Sequence, residues 1–236
     1  MSHSRHEAFL RNVRYTNERT KHFQFQLSNG HRFDFRPGQF ISLDIELDGR
    51  KVRRPYSIAS APRSDNGFDL CLNMLPEGRV SSWLFNLKPG DKIGFSGPFG
   101  FFSLCEPFDP VLAFIATGTG IAPIRAMLQD LYSHPHGSEV WLICGVRQER
   151  DILYREEFER LAVQHPGFHF IPTLSRPEPG WSGHTGYVQQ YVVRYLAGKK
   201  GLHAYLCGLR KMIEDVAQEF RAMGYDPKAL SYEKYD

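Results

Sequence analysis

The chain changes its pattern near the middle. From residue 7 to about 100, apolar and polar positions alternate in short runs: HFQFQLS (22–28), GQFISLDIEL (38–47), VRRPYSIAS (52–60), GFDLCLNML (67–75) and DKIGFSG (91–97). A period of two puts alternate side chains on opposite faces of a half-buried strand. The connectors carry turn pairs: NG at 29–30, PG at 37–38, DG at 48–49, NG at 66–67 and PG at 89–90. Their glycines supply the backbone angles that tight turns demand. One helical segment is expected at RVSSWLFN (79–86). Short strands at this spacing predict an antiparallel barrel or sandwich.

After GPFGFF (97–102), apolar runs alternate with longer amphipathic stretches. VLAFIA (111–116) precedes PIRAMLQDLYS (123–133), and EVWLICG (139–145) precedes LYREEFERLAVQ (153–164). FHFIPTLS (168–175), GYVQQYVVRYLA (186–197), HAYLCG (203–208) and RKMIEDVAQEFRAMG (210–224) continue the series. Strands apolar on both faces, alternating with helices, predict a doubly wound parallel sheet of five strands. The expected division is an all-β domain over 1–103 and an α/β domain over 104–236, with the ligand crevice between them.

Bulk composition changes this picture little. The 236 residues suffice for one large or two small cores, and 42% apolar with 23% charged is a soluble balance. A formal charge of +3 is too mild to imply nucleic acid. Cys71, Cys105, Cys144 and Cys207 form no CxxC pair, so neither a zinc ribbon nor a cysteine-ligated cluster is expected, and no metal site is assigned. The segment MSHSRHEAF lacks the apolar core of a signal peptide, and no apolar run is long enough to cross a bilayer. A reduced, cytoplasmic setting is the expectation.

Two stretches carry chemistry. ATGTGIAP (116–123) follows the first parallel strand and opens a helix. Its glycines let the backbone approach a ligand, and a helix start offers unpaired N–H groups to a pyrophosphate. It is not the full dinucleotide fingerprint, because Pro123 stands in place of the third glycine and no ribose-binding acid follows Gly145. A ligand-free strand–helix turn is the other reading of GxG alone. The second stretch is RRPYSIAS (53–60), where a guanidinium, a phenol and a hydroxyl fall within four residues of one strand.

Taken in order, RRPYSIAS, GRVSSWL, GTGIAP, CGLRKM and SYEKYD resemble the ferredoxin–NADP reductase family over nearly the whole chain. The resemblance implies an FAD-binding β-barrel followed by an NAD(P)-binding domain. It puts Arg54 at the flavin pyrophosphate, Pro55 among the cofactor-binding residues, Tyr56 along the isoalloxazine and ribityl, and Ser57 near N5. Gly78, Val80 and Ser81 would add donors to that pyrophosphate, though Ser81 also suits a plain helix cap. Thr117, Gly118, Thr119 and Gly120 would take the nicotinamide nucleotide's pyrophosphate, and Cys207 and Gly208 would lie beside the nicotinamide. Glu233 matches the acid near that ring. Tyr235 matches the aromatic that covers the flavin, although Asp236 follows it here.

Ser175 and Arg176 match the pair that holds a 2′-phosphate in NADP-specific members, which favours NADP(H) over NAD(H). The implied activity is hydride transfer between NADP(H) and FAD, with single electrons passing to a separate carrier, ferredoxin or flavodoxin. Arg11, Arg14, Arg19, Lys21, Arg50, Lys51 and Arg53 would steer such an acidic partner. Three alternatives share the architecture: an NAD(P)H–flavin reductase, the reductase component of an oxygenase, and a non-catalytic nucleotide sensor.

Overall fold

The computed structural model describes residues 5–28 and 32–235. It divides into two compact units, one of Met1–Leu104 with Arg125–His134 and the other of Cys105–Ile124 with Pro135–Asp236.

The first unit is an antiparallel barrel of six strands. They are β1 (Arg5–Asn17), β2 (Thr20–Leu27), β3 (Phe40–Leu47), β4 (Arg50–Ser57), β5 (Gly67–Asn73) and β6 (Lys92–Phe99), with α1 (Arg79–Phe85) between the last two. The spatial order is β4-β3-β6-β1-β2-β5, and a single Ile58–Leu70 bridge joins the two ends. The interior is aromatic. Phe25 stacks on Phe68 at 5.5 Å, and Phe68 meets Phe95 edge-on at 5.1 Å, an arrangement that ring quadrupoles favour. Leu43, Ile41 and Ile58 are fully buried around them. β4 is the edge strand, which explains how Pro55 is tolerated without a backbone donor. β5 is buried on both faces except at Asn73.

The second unit is a parallel sheet with helices. Its strands are β7 (Val111–Thr117), β8 (Glu139–Val146), β9 (Phe168–Leu174), β10 (His184–Thr185), β11 (Leu202–Leu209) and β12 (Leu230–Tyr235). The helices of this half of the sequence are α2 (Ile121–Leu131), α3 (Arg155–Gln164), α4 (Val188–Leu196) and α5 (Arg210–Ala222). The order β10-β9-β8-β7-β11-β12 runs outward from β7 in both directions. The chain therefore reverses between β7 and β11, and open sheets of this kind bind ligands at the carboxyl ends of the strands flanking such a reversal. The sheet has six strands rather than five: the four apolar runs are joined by β10, where His184 and Thr185 pair with Thr173 and Leu174, and by β12 along β11. Two residues are too few to leave a periodic signal. Among the described residues, no helix is long and apolar enough to cross a membrane.

Candidate functional site

The chemistry-bearing residues of the first unit cluster where β4 ends. Arg54 is exposed on the edge strand, and its guanidinium donates to the Arg53 carbonyl at 2.8 Å. Among the described residues it makes no ion pair. Its remaining N–H donors, fixed in a fork, suit phosphate oxygens. Pro55 is exposed beside it. Tyr56 lays a half-buried ring against the barrel core, and burial pushes its phenol up to about 12 despite the opposing charge of Arg54. Ser57 is buried and pairs with Phe40.

α1 begins at Arg79, and Gly78 precedes it as an N-cap without a side chain. The Ser81 hydroxyl donates to the Gly78 carbonyl at 2.9 Å and accepts the Leu75 N–H at 3.1 Å. It thus closes its own loop and does not serve as an N-cap. Val80 is buried in the first turn, where helix N–H groups have no partner within the helix.

In the second unit the carboxyl ends of β7, β11 and β12 converge. Thr117 ends β7, and Gly118–Gly120 form one 3₁₀ turn, with Thr119 at its centre, that runs directly into α2. Gly118 has φ +54 with open space around the missing Cβ. At Gly120 a Cβ would collide with the carbonyl of Cys207, so only glycine lets this turn press against β11. The Thr117 hydroxyl accepts the Leu209 N–H at 3.4 Å. The turn, Cys207 and Gly208 are thereby brought together at the reversal point.

Cys207 is fully buried and stands opposite Glu233 in the β11–β12 register. Burial, and then the Glu233 carboxylate, push its thiol well above the ordinary range, while a hydrogen bond with Tyr235 works the other way. The side chain stays neutral and small. SYEKYD is strand up to Tyr235, because β12 extends the sheet from Leu230 to Tyr235; Asp236 lies outside the described residues.

Ser175 follows β9, and its N–H donates to the Val146 carbonyl at 3.0 Å. The exposed Arg176 donates its N–H to Arg147 at 2.8 Å. Beside them Glu178 accepts from Gln148 at 3.0 Å and from Arg150 at 3.3 Å. The basic residues proposed for steering are partly neutralised. Arg11 pairs with Asp65 at 3.3 Å and Arg53 with Asp44 at 2.9 Å, while Arg14, Arg19, Arg50 and Lys51 remain exposed.

Sequence reasoning missed a buried ionic cluster in the first unit. The Asp69 carboxylate meets Arg63 at 2.6 Å, His22 at 3.3 Å and Arg125 at 3.4 Å. Burial opposes its charge, but hydrogen bonds from His22 and Arg63 outweigh it and bring the carboxyl down to about 2. The only trace in the sequence is an acid, Asp69, set between Phe68 and Leu70 in an otherwise apolar run.

Comparison with known proteins agrees with this geometry. Residues 8–104 match the model of an oxidoreductase FAD-binding domain, and residues 114–218 that of an oxidoreductase NAD-binding domain. The chain is 38% identical to ferredoxin–NADP reductase B of Sorangium cellulosum, over 98% of this chain and 97% of that protein. It is 32% identical to the toluate 1,2-dioxygenase electron transfer component of Pseudomonas putida, over 98% of this chain and 67% of that one. Among solved structures it is similar to an Amycolatopsis cytochrome P450 reductase, with a TM-score of 0.88 and 29% identity over 99% of this chain and 71% of that chain. A barrel and a reversing parallel sheet that both match their domain models, together with end-to-end similarity to a named reductase, make this chain a member of the ferredoxin–NADP reductase family of FAD- and NAD-binding oxidoreductases.

Proposed function

We propose that the chain moves a hydride between NADP(H) and FAD, and single electrons between FAD and a separate small carrier protein, ferredoxin or flavodoxin. The observation that carries this reading is Cys207 at the reversal point of the sheet, flanked by the Gly118–Gly120 turn on one side and Glu233 with Tyr235 on the other. We assign residues 1–103 to flavin binding and 104–236 to nicotinamide nucleotide binding, supported by the matched domain models.

The residues of the first unit fit a flavin nucleotide. Arg54, with the backbone N–H groups of the first turn of α1 from Gly78 through Val80 and Ser81, would hold the pyrophosphate, with Pro55 beside them against the flavin. That Arg54 makes no ion pair among the described residues supports this. The half-buried Tyr56 ring suits a flat partner. Ser57 would direct a small hydroxyl at N5. The bound flavin supplies the redox chemistry, since it exchanges electrons in pairs or singly.

The second unit's residues orient the nucleotide. The N–H groups of Thr117, Gly118, Thr119 and Gly120 would hold its pyrophosphate. Ser175 and Arg176 would read the 2′-phosphate, and so select NADP(H) over NAD(H). Cys207 and Gly208 give two stacked rings room to approach without a clash. Glu233 would hold negative charge near the positive nicotinamide, and Tyr235 would cover the flavin until that ring arrives. The exposed Arg14, Arg19, Arg50 and Lys51 would draw in an acidic carrier. The four free cysteines support a reducing, cytoplasmic setting.

FAD-loaded protein mixed with NADPH and ferricyanide tests the reading. Rapid NADPH oxidation is expected, and its absence would end it. The toluate dioxygenase component and the P450 reductase favour a second reading, the reductase of an oxygenase system. Assaying reduction of purified ferredoxins, flavodoxins and oxygenase components separates the two.

A further inference from the structure

The buried cluster around Asp69 takes no part in the chemistry above, yet it grips the chain at the point where that chemistry begins. β4 ends at Ser57, and beyond it the segment Ile58–Ser60 leaves the regular ladder. Four hydrogen bonds set its path. Ile58 N–H donates to Gln39 at 3.0 Å, and Ala59 N–H donates to the Asp69 carbonyl at 2.8 Å. Asp69 N–H donates to the Ser60 hydroxyl at 3.0 Å, and Arg125 donates to the Ala59 carbonyl at 2.6 Å. The Arg125 nitrogen that holds Ala59 also faces the Asp69 carboxylate at 3.4 Å.

The arrangement is costly as a mere fold element. Two ions taken out of water are often less stabilising than apolar residues of the same volume. Asp69 is 3% exposed and Arg125 8%, and the Asp69 carboxylate that Arg63 and His22 already hold is also the counter-charge facing Arg125. Without the carboxylate, the buried Arg125 would lose the counter-charge that faces the very nitrogen holding Ala59. That would loosen its hold on Ala59, two residues beyond Ser57.

We propose that Asp69 and Arg125 are positioning residues for flavin binding: they fix the Ile58–Ser60 path and, through it, the direction in which Arg54, Tyr56 and Ser57 face the flavin. Arg125 does so through one guanidinium nitrogen that meets both a carbonyl and a carboxylate, a position that the shorter, unbranched lysine side chain does not reproduce in shape. The proposal rests on the flavin reading above.

The test titrates FAD into apoprotein and follows flavin fluorescence and the visible spectrum, alongside thermal unfolding of the apoprotein. Wild type should bind FAD. Arg125→Gln and Asp69→Asn should bind at least about tenfold more weakly, with a displaced visible band, and Arg125→Lys should fall between. Wild-type affinity and an unchanged spectrum in the folded variants would overturn the proposal and leave the cluster a stability element only. Should Asp69→Asn fail to fold, Arg125→Lys keeps a cation in the cluster, and an unaltered flavin spectrum and affinity there overturn it equally. Failure of wild type to take up FAD would instead defeat the flavin reading itself.

Discussion

Cys207 and Glu233 face each other across the parallel pair of β11 and β12, with the thiol fully buried and raised in pKa by that burial and by the carboxylate. A thiol so held is a poor nucleophile, since only the thiolate reacts. What it offers is a small, soft, uncharged surface at the end of the strand. The same pairing keeps the acid's charge next to a neutral neighbour rather than a second anion.

Alkylation follows from this. At pH 8, iodoacetamide should label the exposed Cys105 and spare Cys207 and Cys144; burial pushes the Cys144 thiol up to about 12. Peptide masses taken over a time course check it, and rapid labelling of Cys207 would contradict the buried, neutral state.

The two glycines of the turn should respond differently to alanine. Gly118→Ala meets open space and carries only the strain of a left-handed backbone, about 1 kcal/mol. Gly120→Ala drives a methyl into the Cys207 carbonyl and should cost about 3 kcal/mol in urea unfolding. Equal losses would mean that the turn does not press on β11.

Replacing Ser57 with alanine should slow flavin reduction by at least about tenfold while leaving FAD bound. Stopped-flow absorbance measures the rate, and an unchanged rate would remove Ser57 from the mechanism.

Arg176→Ala should raise KM for NADPH about tenfold or more and leave that for NADH nearly unmoved. Equal losses for the two coenzymes would mean that the 2′-phosphate is read elsewhere.

Asp69 predicts an acid-labile stability term. Its carboxyl sits at about 2, against an ordinary 3.8, so the folded state holds the charged form more tightly than the unfolded chain does. Linkage makes this worth about 2 kcal/mol above pH 4, lost as pH falls from about 4 toward 2. Urea midpoints of wild type and Asp69→Asn should therefore converge in acid. A constant gap between them from pH 7 to pH 2.5 would rule this out.

Much of the architecture could be read in local patterns, because a side-chain period is written residue by residue. Phe23, Phe25 and Leu27 mark β2, and the apolar run of β7 into GTG marks the first strand and turn of the sheet. β1 was not legible: only Ala8 and Leu10 of its Arg5–Asn17 span are buried, so alternation never emerges. β12 was read as a bearer of function and not as a strand. Its polar residues become one only because the edge of β11 offers them hydrogen bonds.

What the sequence determined alone was the order of a β half and an α/β half, the turn glycines, and the motifs that carry the family likeness, since each is a property of neighbouring residues. Only the tertiary structure decided that Cys207 faces Glu233, that Ser81 closes its own loop, and that His22, Arg63 and Arg125 converge on Asp69. Most of these partners lie far apart along the chain. Whether such charges meet depends on strand order and register, which a local pattern does not contain.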